Sequence, residues 1–393
     1  MRRQNFKSSK LVWYQYRPPR DGWKIRIWLI ALIVLTPVVG ASIWFYVTIV
    51  KQLPDISEIE NFSFKQATLI TDRNGEVLYK LFDENREYVS YEDISPTFVN
   101  ALIATEDQRF WENPGVDRKW TLRAWITDLR YGKTHWWSTI TQQLIKNVML
   151  TPEKKFERKF KEIILAVKLN SYIKKDIKKK YSNLSDEEID IKVKEKVLEL
   201  YANLIFLGNN SYGIETASYT YFGTSANNLD ILQGAILAWI PQAPSRYDPY
   251  NNKAALMWEV QVTDVSWTPA EVTEDLKIII QDKLTSSLTN WNFSSRRDAA
   301  SLIEYINGLL SLKITHLWQI YQVSYKSWRK DSVLARLYED GYITELEFKN
   351  SFLEGLDYPF KRWSIQIKAP HFVFRIINLL EEKYDQELLR KEW

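Results

Sequence analysis

The sequence predicts a mainly α protein with a small β-hairpin region, preceded by one transmembrane helix. Three observations carry this expectation. Ile27–Val50 runs without a single charge, long enough to span a hydrocarbon core as a helix. From Pro96 to about Tyr250 the apolar residues recur mostly at helical spacing, the mark of helices with one buried face. Between those stretches, Asn74-Gly75 separates two short apolar runs, Thr68-Leu69-Ile70 and Val77-Leu78-Tyr79, a strong hairpin signal.

The first 26 residues carry Arg2, Arg3, Lys7, Lys10, Arg17, Arg20, Lys24 and Arg26 against one acid, Asp21. By the positive-inside rule this tail (1–26) is cytoplasmic and everything after Lys51 lies outside. Trp28, Trp44 and Tyr46 are placed for the membrane interfaces. A cleaved signal peptide is the competing reading, but the apolar run is too long for one and no clear small-residue cleavage site follows. The segment 27–50 therefore reads as a single-span anchor, followed by a linker and hairpin region (51–95).

Ser95-Pro96 suits an N-cap and first turn, and Phe98, Val99, Leu102 and Ile103 follow at helical spacing. That helix carries Glu106 and Asp107 at its far end, where two acids oppose the macrodipole. A solvated helix end is the plain explanation. Ser138-Thr139-Ile140-Thr141-Gln142-Gln143-Leu144-Ile145-Lys146-Asn147 offers many short donors and one cation, suited to hydroxyls and phosphate oxygens. Lys154–Tyr181 is a lysine-rich helix. It serves either as a solvated face or as a surface for anionic head groups or a pyrophosphate. Glu162 lies one turn beyond Arg158 and shares its face.

Two more helices are expected over Glu187–Asn203 and Leu229–Ile240, the second stopped by Pro241. Residues 251–327 read as a helical insertion of unknown role. The segment 328–393 opens with a helical pair, Arg329–Phe352, in which Thr344 is an N-cap. Composition narrows the chemistry. The 393 residues include no Cys and only three His, with a net charge of +4. Thiolate metal sites are excluded, acid–base work falls to carboxylates, and nothing points to nucleic acid.

Several motifs, in order, resemble the peptidoglycan glycosyltransferases, the polymerase module of class A penicillin-binding proteins. They are Glu106-Asp107-x-x-Phe110, Ser138-Thr139-x-Thr141-Gln142-Gln143-x-x-Lys146-Asn147, Arg158-Lys159-x-x-Glu162, Val197-Leu198-x-x-Tyr201-x-Asn203 and Gln242-Ala243-Pro244-Ser245-Arg246-Tyr247. The resemblance implies a lysozyme-like helical domain over 96–250, with bacterial plasma-membrane localisation and an extracytoplasmic catalytic domain. It implies lipid II and the growing glycan strand as substrates, joined by a β-1,4 linkage with inversion and release of undecaprenyl pyrophosphate. Glu106 would be the general base. Glu162 would be the second essential carboxylate, among cations or holding Mg2+ or another divalent cation. Asp107, Phe110, Ser138, Thr139, Gln142, Gln143, Lys146, Asn147, Arg158 and Lys159 would bind substrate. The lipid bilayer and cell-wall synthesis proteins are the further partners.

The departures are specific. Asn113 stands where the family usually has His, and Asn170 at a usual acid. Trp120, Trp136, Trp137 and Trp239 stand where it has Gly. The chain holds 17 Trp and 12 Gly, whereas average usage of ~7% would give roughly 27 glycines. This pattern fits a gene that reads UGA as glycine, translated with a table that reads it as tryptophan. Ser327-x-x-Lys330 matches a transpeptidase motif by spacing alone, its partner motifs are missing, and transpeptidase activity is not expected from this chain. Two rivals stay open: a lysozyme-like glycan-cleaving enzyme, and a non-catalytic membrane scaffold for cell-wall synthesis.

Overall fold

A computed structural model describes residues 22–57, 59, 68–81, 85–117, 138–150, 155–250, 258–263, 273–291, 293, 295, 301, 312–316, 319–327, 329–355, 358–360 and 368–383. Trp120, Trp136, Trp137 and most of the basic tail lie outside these residues. The chain divides into two units, 1–53 and 54–393. The first contains α1 (Gly22–Phe45), continued by a π-helical turn, Tyr46–Val50. Arg26–Val50 is long and apolar enough to cross a membrane. Along α1, Thr36 and Ser42 donate their hydroxyls to the carbonyls of Leu32 and Val38, so these polar groups are satisfied inside the helix.

In the second unit, β1 (Thr68–Thr71) and β2 (Val77–Leu81) form the expected antiparallel hairpin. The Asp72 carboxylate accepts from the backbone N–H of Asn74 and Glu76, each at 2.8 Å, and Gly75 takes φ +84. The return strand is met by a distant segment: the Lys368 N–H donates to Leu78 O at 3.0 Å. β3 (Asn85–Arg86) pairs in parallel with β4 (Ser211–Tyr212).

The helical body starts with α2 (Pro96–Glu106), whose Ser95 cap and buried Phe98, Val99, Leu102 and Ile103 follow the expected pattern. Then come α3 (Ile140–Met149), α4 (Lys155–Lys180), α5 (Asp186–Leu204), α6 (Ile214–Phe222) and α7 (Ile231–Trp239). The contact between α2 and α7 is close because Gly234 has no side chain. A Cβ there would lie 2.9 Å from Phe98 N and 3.0 Å from Thr97 C. Ser95 Oγ and Thr97 Oγ1 both donate to Leu229 O at 2.9 Å, tying the two helix starts together.

The segment 251–327 departs from the helical insertion expected. Among its described residues the segment holds the helix α8 (Glu274–Asn290), but β5 (Trp258–Thr263), β6 (Leu312–His316) and β7 (Gln319–Ser327) form an antiparallel sheet in the order β5-β7-β6. The reason is visible in Trp258-Glu-Val-Gln-Val-Thr and Leu312-Lys-Ile-Thr-His, where apolar and polar residues alternate with the strand period of two.

The helical pair forms as expected: α9 (Arg329–Glu339) and α10 (Glu345–Glu354), with Thr344 and Glu347 closing a capping box. α9 packs on both α2 and α7, and α10 on α7. Lys330 and Asp331 are fully buried as an ion pair at 2.5 Å, with the Lys330 ammonium 4.9 Å from the Phe352 ring. The lysine of the Ser327-x-x-Lys330 match is thus engaged inside the fold. Beyond it lies α11 (Pro370–Lys383).

Candidate active site

Glu106 is the last residue of α2, beside a cleft of about 270 Å³ lined by Glu106, Asp107, Arg109, Ser138, Gln142 and Arg336, among others. Its carboxylate is held from two sides. Gln143 Nε2 donates to Oε2 at 2.6 Å, and Gln242 Nε2 makes a long 3.4 Å contact to Oε1. Gln143 is itself oriented, since its Oε1 accepts from the Tyr201 hydroxyl at 3.0 Å. Tyr201 is buried in α5, and burial raises its pKa well above the ordinary value, so it remains a donor. The amide of Gln143 therefore presents its N–H2 to Glu106.

Asp107 faces the other way, into the protein. Asn113 Nδ2 donates to both of its oxygens at 3.0 and 3.1 Å, and the Ile140 N–H reaches Oδ2 at 3.3 Å. Burial pushes its pKa up to about 6, against the lowering effect of these donors and of Lys194. Asn113 Oδ1 accepts from Gly115 N–H at 3.0 Å and from Lys194 Nζ at 3.2 Å. Asn113, the departure from the family's His, thus joins a buried acid to a buried base with both ends of its amide. Burial lowers the Lys194 pKa to about 8. Lys194 carried no sequence signal that singled it out from its lysine-rich surroundings.

Phe110 does not fit the substrate-binding role. Its ring is fully buried, with Lys194 Nζ 4.3 Å from its centroid and Trp111 edge-on at 5.5 Å. It is a core residue that turns the loop after α2. Thr139 and Gln142 line the cleft, yet their side chains form the capping box of α3, and Thr139 Oγ1 donates to Gly115 O at 2.7 Å. They shape the wall and hold Ser138 at the cleft edge.

Ser138 links the cleft to the basic helix: Lys159 Nζ donates to its Oγ at 2.7 Å and to Glu162 Oε2 at 3.0 Å. Glu162 is 3% exposed, and Arg158 approaches its Oε1 at 3.3 Å. Burial lowers the Lys159 pKa, and Lys146 and Arg158 add to the lowering, which places these cations within electrostatic reach of one another. Lys146 and Asn147 are exposed on α3. The expectation of a divalent ion on Glu162 does not match the donors around it. Both of its oxygens face cations.

The sequence reading missed Arg336. This α9 residue lines the cleft and donates from Nη1 to Thr105 O at 2.9 Å and Ala104 O at 3.4 Å.

Trp239, where the resembled family has Gly, closes α7 with φ −90 and ψ −27, an ordinary helical backbone that requires no glycine. Its indole is 6% exposed, packed 5.0 Å from the Arg329 guanidinium and edge-on to Tyr247. Its Nε1 is buried with no hydrogen-bond partner.

Residues 74–263 match the family model described as transglycosylase. Penicillin-binding protein 1A of Aquifex aeolicus is 37% identical over 219 residues, covering 56% of this chain and 27% of that protein. Penicillin-binding protein 1F of Bacillus subtilis is 37% identical over 221 residues, covering 56% and 28%. Penicillin-binding protein 1A of Escherichia coli is 34% identical over 211 residues, covering 53% and 23%. The matched region spans about a quarter of the length of these relatives. A crystal structure of penicillin-binding protein 1A from Haemophilus influenzae aligns with TM-score 0.35 and 16% identity, covering 82% of this chain and 25% of that one, too loose a likeness to define a common fold.

Proposed function

We propose, on the premise that residues 74–263 are a transglycosylase domain of the peptidoglycan glycosyltransferase family, that this chain polymerises lipid II into glycan strands with Glu106 as its general base. The observation that carries the reading is the setting of Glu106: a carboxylate at a cleft wall, fixed by Gln143 and through it by Tyr201. The neighbouring cations stand apart from it, on α3 and α4.

In this reading the acceptor sugar enters the cleft with its 4-hydroxyl against Glu106. The carboxylate takes the hydroxyl proton as the oxygen attacks the anomeric carbon of the growing strand. The bond from that carbon to the pyrophosphate oxygen breaks, and its electron pair leaves with undecaprenyl pyrophosphate. Attack from the face opposite the leaving group inverts the configuration at the anomeric carbon.

The leaving group needs charge compensation rather than protonation, so fixed cations are the suited stabilisers. Lys159, Arg158 and Lys146 supply them. Glu162 holds the first two in place, which fits an orienting carboxylate better than a metal ligand. Ser138, bonded to Lys159 and lining the cleft, joins the two halves of the site. The anchor, with its basic tail in the cytoplasm, would keep this site on the outer side of the membrane, where a lipid-linked substrate is within reach.

The test is Glu106→Gln assayed on lipid II. It should lower polymerisation about 10²–10⁴-fold with folding and membrane insertion intact. A variant that still polymerises at the parent rate would remove Glu106 from the reaction. A parent chain that is folded, inserted and inert would favour the non-catalytic scaffold.

A further inference from the structure

We infer that Arg336 is a positioning residue for Glu106, so that the helix pair α9–α10, outside the matched region 74–263, is part of the catalytic cleft. The inference rests on the assignment of Glu106 as the base. It starts from a difficulty in the sequence. Glu106 and Asp107 end α2, where the unpaired carbonyls and the macrodipole already make the helix terminus negative. Two acids there need an opposing charge.

Arg336 provides it. Its guanidinium donates to the carbonyls of Thr105 and Ala104, among the last of α2, and lies in the lining of the same cleft as Glu106. A cation at a helix C-terminus is favourable, and a single guanidinium nitrogen, Nη1, reaches both neighbouring carbonyls. One turn on, Asp340 accepts a long 3.5 Å contact from Gln108 Nε2. α9 and the residue just past its end therefore reach the chain on both sides of Glu106: Ala104 and Thr105 before it, Gln108 after it.

Arg336 is itself seated firmly. Its neighbours Leu334, Ala335 and Leu337 are buried, and α9 packs on both α2 and α7. The guanidinium is thus brought to the end of α2 by a packed helix rather than a loop. The base gets its direction from two sides. Gln143 fixes the carboxylate, and Arg336 fixes the backbone that carries it. A loss of about 1 Å in such placement is enough to cost about 10²-fold in rate.

The experiment uses the full chain and lipid II, comparing Arg336→Ala and Arg336→Lys. The Ala variant should lower kcat roughly 10–100-fold with KM within about twofold, and its melting temperature should stay near that of the parent. Added guanidinium or ethylguanidinium should recover part of the lost kcat, and Arg336→Lys should retain more activity than Arg336→Ala. On the Glu106→Gln background, Arg336→Ala should cost little more, because the two act as one unit. Either of two results would overturn the proposal: an Arg336→Ala enzyme as fast as the parent, or a loss that tracks a lowered melting temperature and that neither Lys nor guanidinium relieves. If Arg336→Ala does not fold, Arg336→Gln, which keeps length and removes the charge, decides: a kcat lowered with normal melting supports positioning, and a parent-like kcat refutes it. An active Glu106→Gln enzyme would instead refute the base, a separate failure.

Discussion

Asp107 and Lys194 face each other across Asn113, and each is held away from its ordinary ionisation by burial. The signs follow from linkage. Asp107 has its pKa raised to about 6 from 3.8, so the folded state disfavours its charged form. The resulting destabilisation is absent below about pH 4 and complete above about pH 6. Lys194, lowered to about 8 from 10.5, behaves conversely: its penalty is complete below about pH 8 and relieved above about pH 10.5. Between pH 6 and 8 the fold carries both. A carboxylate held about two pH units above its ordinary value costs roughly 3 kcal/mol on ionising. Asp107→Asn should therefore flatten the fall in stability between pH 4 and 6, read as melting temperature against pH beside the parent. An unchanged slope would mean that other groups cause it. None of this was legible in the sequence. Asp107 stood out as one of two acids at a helix end, but that it turns inward, and that Asn113 rather than His bridges it to a lysine, depends on how α5 packs beneath the loop.

At the scale of elements, the local signals were the most readable. Ser95-Pro96, Thr344 and Asn74-Gly75 each mark a boundary by chemistry confined to four or five residues, and each boundary lies where that chemistry puts it. α3 begins the same way, with Thr139 accepting from Gln142 N–H while Gln142 reaches back. Thr139→Ala should cost about 1 kcal/mol through loss of this cap. It should also loosen Ser138 and so weaken binding of the pyrophosphate substrate, a combination visible as a lower melting temperature with a raised KM. A raised KM alone would indicate direct contact with substrate. The β5-β7-β6 sheet was legible in principle, because its strands alternate with period two. The aromatic content of 251–327 obscured that period. The place of α9 was not legible at all. The sequence shows an amphipathic helix followed by a turn, and nothing local says that its arginine ends against α2.

For the molecule as a whole, the anchor and its tail predict topology. Protease added outside should cut after Lys51 and leave the tail before Ile27 protected; the reverse pattern would place the cleft in the cytoplasm. Composition makes a second prediction at this scale. If the gene reads UGA as glycine, codons 120, 136, 137 and 239 are UGA and the natural protein has Gly there; UGG codons would refute this. Trp239 allows a physical test on the protein itself. Its helical backbone accepts either residue, and its indole is well packed against Arg329 and Tyr247. Removing so large a buried side chain ordinarily costs roughly 3–5 kcal/mol, and glycine in a helix adds roughly 0.5–1 more. Against that stands one buried, unpartnered indole N–H, worth about 1–3 kcal/mol when relieved. In a chain shaped around tryptophan, Trp239→Gly should therefore lower stability by several kcal/mol. In a chain shaped around glycine, the rest of the core already fits without the indole. Trp239→Gly, made with the same change at 120, 136 and 137, should then melt no lower than the tryptophan form and polymerise lipid II faster. A large loss of stability in the four-glycine chain would show that the tryptophans belong to the fold, and would raise the scaffold above the enzyme.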